Sequence, residues 1–379
     1  MGTTICCAEP KGYKSNNLHL YQINRYHHKS QPFPTIEDMI NPNTNLYEEP
    51  SKTTEINNSD NIDQEIPISE KETNNNFNGL NFKRKKFLQN EKGEFNLLSY
   101  DIEDERFYIF KVAFPVIKTI EGLSEVSIKS NFYLCGISSK QKNEGSYLFQ
   151  VNLNSVSGNE VLKAQILINS QFQHVYPSLI IDKNEQIICV GGKGQTQCEL
   201  YSSKLNKWYS LPELEEEKYK CTLCIDPKET FVYLFGGINT KNKKQQSENN
   251  MQDNDYKVLR MDLIKQLVWE NLVVKYESKN FMINRYSCGA FTFKNDEDFI
   301  FLIGGEDNEH NLYGDIIRFS IHKLKFESTG AKLNYNTTFF NQNGILNDDQ
   351  SYYFIDNLNQ IHIIDRHDCL PMDYLNIDT

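Results

Sequence analysis

The chain has no apolar run long enough to cross a bilayer as a helix. Its best stretches, such as Phe299–Ile303, are strand-sized, against the roughly 18–20 residues a spanning helix needs. A helix-spanned membrane protein is therefore not expected. Basic residues are in deficit, 40 Lys and Arg against 51 Asp and Glu, leaving a net charge of −11 and a pI of about 5.3. That balance argues against a nucleic-acid partner. Tryptophan is scarce, with 2, yet 21 Tyr and 23 Phe raise the aromatic share to 12%, a composition that favours strands. No phosphate loop, dinucleotide fingerprint or nucleophile elbow occurs. The eight histidines form no HxxxH or HxH pair with a carboxylate at ligand spacing. Neither a cofactor nor a metal is expected, and the chain reads as a non-enzyme. At 379 residues it exceeds what one core usually fills, so a large domain with a tail, or two domains, is expected.

The amino terminus begins Met1-Gly2-Thr3-Thr4-Ile5-Cys6-Cys7. It lacks the apolar segment of a secretory signal. Gly2 is where N-myristoylation would occur, although Cys6 stands where the pattern has Ser or Thr. One myristoyl chain binds a bilayer only marginally, and a second signal is needed for stable anchoring. Cys6 and Cys7 would supply it by S-palmitoylation. Lys11, Lys14, Arg25 and Lys29 against Glu9 alone add a weak attraction to an anionic leaflet. Residues 1–30 thus read as an acylation signal that places the protein on the cytoplasmic face of a membrane. Without acylation the expectation is a cytoplasmic or cytoskeletal location.

Residues 31–76 carry ten acidic residues against Lys52 and Lys71, with apolar residues scattered at no regular period. Such a segment buries too little to offset ordering entropy and is expected to be a disordered acidic linker. From residue 77 to 379 the texture changes. Short aromatic and β-branched runs alternate with polar turns, an all-β signature.

Four of these runs end in glycine: Phe132–Gly136, Ile188 through Gly191 and Gly192, Tyr233 through Gly236 and Gly237, and Phe301 through Gly304 and Gly305. Successive final glycines are 56, 45 and 68 residues apart. Setting aside the 16-residue polar insertion Thr240–Asp255 reduces the last interval to 52, so the period is about 50. Behind each run comes a pair of large residues seven positions apart: Tyr100 and Phe107, Tyr201 and Trp208, Phe319 and Phe326. Met261 and Trp269 are spaced by eight. With these motifs residues 77–379 resemble the Kelch repeat family. The resemblance implies a β-propeller, and the spacing suggests six units near 77–118, 124–170, 172–214, 218–280, 284–330 and 333–376. The glycines suit turns with positive φ, and the aromatics suit the wedge between neighbouring sheets.

Seven cysteines lie beyond the tip and are expected to be reduced, buried thiols. Cys221-Thr222-Leu223-Cys224 is half a zinc pattern, but on a strand positions three apart face opposite sides. In a four-stranded antiparallel unit, the turn between second and third strands leaves at the same end as the link to the next unit. That end would carry Lys193, Gln195, Lys218, Arg285, Glu306, Asp307 and His310, beside the Thr240–Asp255 insertion. The Kelch resemblance implies a protein or peptide partner there, with Arg285 facing the mouth and suited to a carboxylate. The expected function is a membrane-tethered, non-enzymatic scaffold or adaptor. Alternatives are a ubiquitin-ligase substrate-recognition subunit, a structural part of a cytoskeletal or ciliary assembly, and a sugar-active enzyme. The sequence leaves the oligomeric state open.

Overall fold

The computed structural model describes residues 82–89, 95–101, 106–115, 120–138, 145–153, 161–240, 258–265, 268–276, 285–293, 296–339, 345–347, 351–358 and 360–369; of 82–89, 101, 106–107, 138, 345–347 and 368 it describes the backbone. The acylation signal, with Gly2, Cys6 and Cys7, the acidic linker and most of the Thr240–Asp255 insertion lie outside the described residues.

The described chain is all-β apart from one four-residue helical turn, and its strands form six sheets. Sheet 1 starts with β1 (Phe82–Gln89), β2 (Phe95–Asp101) and β3 (Arg106–Ala113), and sheet 2 with β4 (Ile120–Ile128), β5 (Asn131–Ser138) and β6 (Tyr147–Asn152). Two short strands then separate. β7 (Leu162–Lys163) runs back and pairs parallel with β3, while β8 (Gln165–Ile166) pairs with β6 and completes sheet 2. Sheet 3 is β9 (Ser178–Ile181), β10 (Gln186–Gly192), β11 (Gln195–Ser202) and β12 (Lys207–Leu211). Sheet 4 is β13 (Thr222–Ile225), β14 (Phe231–Phe235), β15 (Val258–Asp262) and β16 (Glu270–Leu272). β17 (Lys275–Tyr276) pairs parallel with the fourth strand of sheet 5, which comprises β18 (Gly289–Phe291), β19 (Phe299–Ile303), β20 (Asp315–Ser320) and β21 (Lys325–Lys332). Sheet 6 has β22 (Ile345–Asn347), β23 (Ser351–Ile355) and β24 (Ile361–Asp365), followed by α1 (Arg366–Cys369).

Buried apolar side chains fall into six clusters, each made by two sheets. Phe95, Leu97, Phe132 and Leu134 join sheets 1 and 2. Cys135, Leu148, Ile187 and Tyr201 join sheets 2 and 3. Val190, Leu200, Val232 and Met261 join sheets 3 and 4; Tyr233, Phe235, Phe319 and Phe326 join 4 and 5; Phe291, Phe301, Phe354 and Ile364 join 5 and 6. The sixth cluster, Leu98 and Tyr100 with Ile355, Ile361 and Ile363, joins sheet 6 to sheet 1. At roughly 25 cal/mol per Å² of apolar area buried, these contacts dominate the stability. No sheet covers its own faces, so each depends on its neighbours. This is the β-propeller-like class of architecture.

The motif residues act as the pattern suggests, with one addition. Tyr100 opposes Phe107, Tyr201 opposes Trp208 and Phe319 opposes Phe326 across antiparallel pairs. The two indoles also donate hydrogen bonds backward in the chain, Trp208 Nε1 to Ile168 O at 2.9 Å and Trp269 Nε1 to Pro212 O at 3.0 Å. Because Tyr100 and Phe107 stand on β2 and β3, these two strands match the third and fourth strands of sheet 3. β1 then matches a second strand, so the expected first strand of unit 77–118 is not among the described residues.

The segments that lead into successive sheets are laced together. Tyr176 N donates to Gly122 O at 2.8 Å, Ser287 N to Lys220 O at 3.0 Å and Phe339 N to Ser287 O at 2.8 Å. Gly122, Tyr176, Lys220 and Ser287 share a positive φ of 62°, 54°, 55° and 56°, so they occupy one repeated position. Two residues further on, hydroxyls repeat the link: Ser124 Oγ to Pro177 O at 2.5 Å, Ser178 Oγ to Cys221 O at 2.8 Å and Thr222 Oγ1 to Cys288 O at 3.1 Å.

Candidate functional site

Counting back two residues from the repeated positive-φ position gives Ile120, a core residue of sheets 1 and 2, and the polar side chains of His174, Lys218 and Arg285; from Phe339 it gives a fourth polar side chain, Thr337. These four side chains sit where a linker meets the turn between second and third strands, and all four are buried. Three of them end on a carboxylate. His174 places Nδ1 2.6 Å from Gly191 O and Nε2 2.8 Å from Glu199 Oε2. Glu199, equally sealed, also accepts the backbone N–H groups of Gln171 at 2.9 Å and Phe172 at 3.2 Å. Arg285 forms a two-pronged pair with Asp315, both N–O distances 2.7 Å, and its guanidinium lies 4.1 Å from the centre of the Tyr313 ring. Thr337 Oγ1 donates to Asp356 Oδ2 at 3.1 Å.

The fourth, Lys218, has no such partner among the described residues, and its ammonium is not sealed from water. The three carboxylates come from different positions: Glu199 from within β11, Asp315 from the start of β20 and Asp356 from the turn after β23, while the register of Glu199 carries the apolar Leu259 in β15 and Ile317 in β20. Beside Lys218, Glu216 accepts from Asn239 Nδ2 at 3.0 Å and Glu217 from Thr240 N at 2.9 Å. These bonds fix the root of the insertion next to the lysine.

Most of the other expected site residues occupy the turns at this same end. Lys193 and Gln195 flank the tip between β10 and β11, Lys193 exposed and Gln195 half-buried. Glu306, Asp307 and His310 form the turn between β19 and β20. Glu306 bridges sheets 4 and 5, 3.4 Å from Lys220 Nζ, and lies 3.2 Å from His310 Nδ1. Asp307 serves its own loop. It accepts from the backbone N–H groups of Glu309 and Asn311, both at 2.9 Å, from Asn311 Nδ2 at 3.0 Å and from Tyr313 OH at 2.7 Å. Burial pushes its carboxyl up, but these bonds outweigh burial and hold it below the ordinary value. The structure thus differs from the sequence expectation for Arg285 and Asp307, which are engaged inside the fold. His310, 70% exposed at its side chain, and its neighbour Leu312, 44% exposed, face solvent.

The glycine pairs Gly191 and Gly192, Gly236 and Gly237, and Gly304 and Gly305 end β10, β14 and β19 with positive φ. A Cβ on Gly191 would lie 2.4 Å from Lys218 O, and one on Gly304 2.6 Å from Thr337 O, so the glycines let the next linker approach. Cys221 belongs to the cluster of sheets 3 and 4 and Cys224 to that of sheets 4 and 5, on opposite faces as their spacing requires. Burial pushes the thiols of Cys198 and Cys288 up to about 12. Among the described residues no group of three or more His, Cys, Asp or Glu is placed to hold a metal.

At the other end a cleft of about 470 Å³ lies between sheets 4 and 5, floored by Phe231, Tyr233, Ile321 and Leu324. Its rim charges are already paired, Lys228 with Glu297 at 2.8 Å and Arg260 with Glu270 at 2.7 Å. Sequence reasoning missed the pairing of His174 with Glu199 and that of His362 with Asp356. Both bring together residues from a linker or turn and a strand, and neither spacing is a motif. No family model matches the chain, and no curated protein matches its sequence.

Proposed function

We propose that this chain is a closed six-bladed β-propeller of the Kelch kind and a non-enzymatic protein-binding module that works through the linker end. Three features support the propeller: the glycine pairs at a period near 50, the aromatics opposed across third and fourth strands, and the apolar cluster joining the last sheet to the first. One observation carries the binding face. At the linker end most buried charges are paired internally, whereas Lys193, His310 and Leu312 stand exposed on neighbouring turns. A mixed apolar and cationic surface on rigidly held turns suits a peptide or protein partner. Acylation at Gly2, Cys6 and Cys7 would hold the module at the cytoplasmic face of a membrane, with residues 31–76 as the tether.

Two experiments test this reading. A photo-crosslinking amino acid placed at Leu312 is expected to give discrete protein adducts in cells, and the same group at Ile264, 84% exposed on the turn after β15, is expected to give none. Adducts at Ile264 alone would contradict the assigned face. For the anchor, Gly2→Ala is expected to move the protein from the membrane to the soluble fraction; unchanged membrane retention would contradict myristoyl-dependent tethering.

A further inference from the structure

Sheet 6 is one strand short among the described residues. In the other five sheets the third strand is followed by an outer one: β2 by β3, β6 by β8, β11 by β12, β15 by β16 and β20 by β21. β24 holds the third place in sheet 6, and no described strand pairs with its outer edge. An open edge of this kind is a template for a further strand. The link after β24 has the length that leads to an outer strand elsewhere. Four residues join β2 to β3, β11 to β12 and β20 to β21, and α1 is the four residues that follow Asp365. α1 also takes a route that sheet 2 takes. Between β6 and β8 the chain visits the outer strand of sheet 1, as β7 beside β3, and α1 likewise packs against β24 and against β21, the outer strand of sheet 5. Cys369, its last residue, is buried in the cluster of sheets 5 and 6.

We propose that the edge of β24 is the docking site of residues 370–374, the segment that follows the described chain, which adds to sheet 6 as its antiparallel outer strand. The inference goes beyond the binding face named above and does not draw on it. The sister sheets set the register. In them the last residue of the third strand opposes the residue five positions on: Asp101 and Arg106, Ser202 and Lys207, Ser320 and Lys325. By the same rule Asp365 opposes Leu370, Ile363 opposes Met372 and Ile361 opposes Tyr374. The hydrogen-bond phase of β24 agrees. Asp356 N donates to Gln360 O at 3.0 Å at the turn, and along an antiparallel ladder every second pair is bonded. The N–H groups of His362 and Ile364 therefore point to β23, and those of Ile361, Ile363 and Asp365 point to the open edge. Their opposed residues are 374, 372 and 370. Pro371 falls between, at a place whose N–H would face away from β24, where an edge strand tolerates a proline.

The test is hydrogen exchange on the full chain, read amide by amide. In the wild type the amides of Ile361, Ile363 and Asp365 are expected to exchange as slowly as those of His362 and Ile364. Met372→Pro removes a donor aimed at β24 and is expected to speed the three outward amides at least about a hundredfold. Met372→Ala, which keeps the N–H, and Asp373→Pro, whose N–H faces away, are expected to leave them slow. A Met372→Pro chain that unfolds beside a folded Asp373→Pro chain carries the same meaning, because the first alone breaks a ladder bond. Fast exchange of the three amides in the wild type overturns the inference. So does unchanged protection in Met372→Pro, or an equal effect of the two prolines. Protection that appears only as the protein concentration rises would give the edge to a second copy of the chain and overturn it as well.

Discussion

Asp356 shows how much one buried side chain can organise. Five donors or rings converge on it: Tyr335 OH at 2.6 Å, Thr337 Oγ1 at 3.1 Å, His362 Nε2 at 3.0 Å, and the backbone N–H groups of Leu358 at 2.8 Å and Gln360 at 2.9 Å. Burial raises its carboxyl, but His362 and the hydrogen bonds of Tyr335 and Gln360 prevail and hold it below the ordinary value. Its folded value is depressed, so its contribution is complete above the unfolded Asp value of about 3.9 and is lost as pH falls through the folded value. Asp356→Ala is expected to cost about 3 kcal/mol at pH 7 in urea denaturation and to flatten stability between about pH 4 and the acid limit. An unchanged acid limb would show that another carboxylate controls it. None of this network was legible in the sequence. His362 belongs to no spaced pair, and Tyr335 is 27 positions away along the chain and meets it through the turn after β23. His174 and Glu199 were hidden for the same reason.

At the scale of elements, the sequence showed what repeats locally and hid what is exchanged between sheets. The four glycine-ended runs fall at β5, β10, β14 and β19, and the residues seven apart proved to be opposed across hairpins, because both patterns are set by period-2 strand geometry and turn length. β7 and β17 were not legible. Each is two residues long and pairs parallel with a sheet whose other described strands lie in a neighbouring unit, and such short strands carry no periodicity. The glycines give a sharp test of element contacts. Gly191 has φ +59° with Lys218 O 2.4 Å from a would-be Cβ, whereas Gly194 has φ +78° and nothing within 4 Å. Gly194→Ala is expected to cost only backbone strain, about 1 kcal/mol, and Gly191→Ala about 3 kcal/mol or more because the linker must also move. Denaturant midpoints of the two variants check this, and equal losses would contradict the close approach.

For the whole molecule, the sixth apolar cluster is the decisive contact. Leu98 and Tyr100 of β2 pack with Ile355 of β23 and Ile361 and Ile363 of β24, so the first and last sheets depend on each other although more than 250 residues separate them. An open stack of units frays from its ends, while a ring has no ends to fray. The tethered module proposed above needs the ring, since its binding face is made of linkers that only adjoining sheets hold in place. Native-state hydrogen exchange on the full chain measures this directly, because amides report the free energy of the opening that exposes them. In a closed ring the strand-paired amides of β2 and β23 should exchange as slowly as those of β10 and β14, through one shared opening. Rapid exchange in β2 and β23, with protection kept in β10 and β14, would contradict the ring.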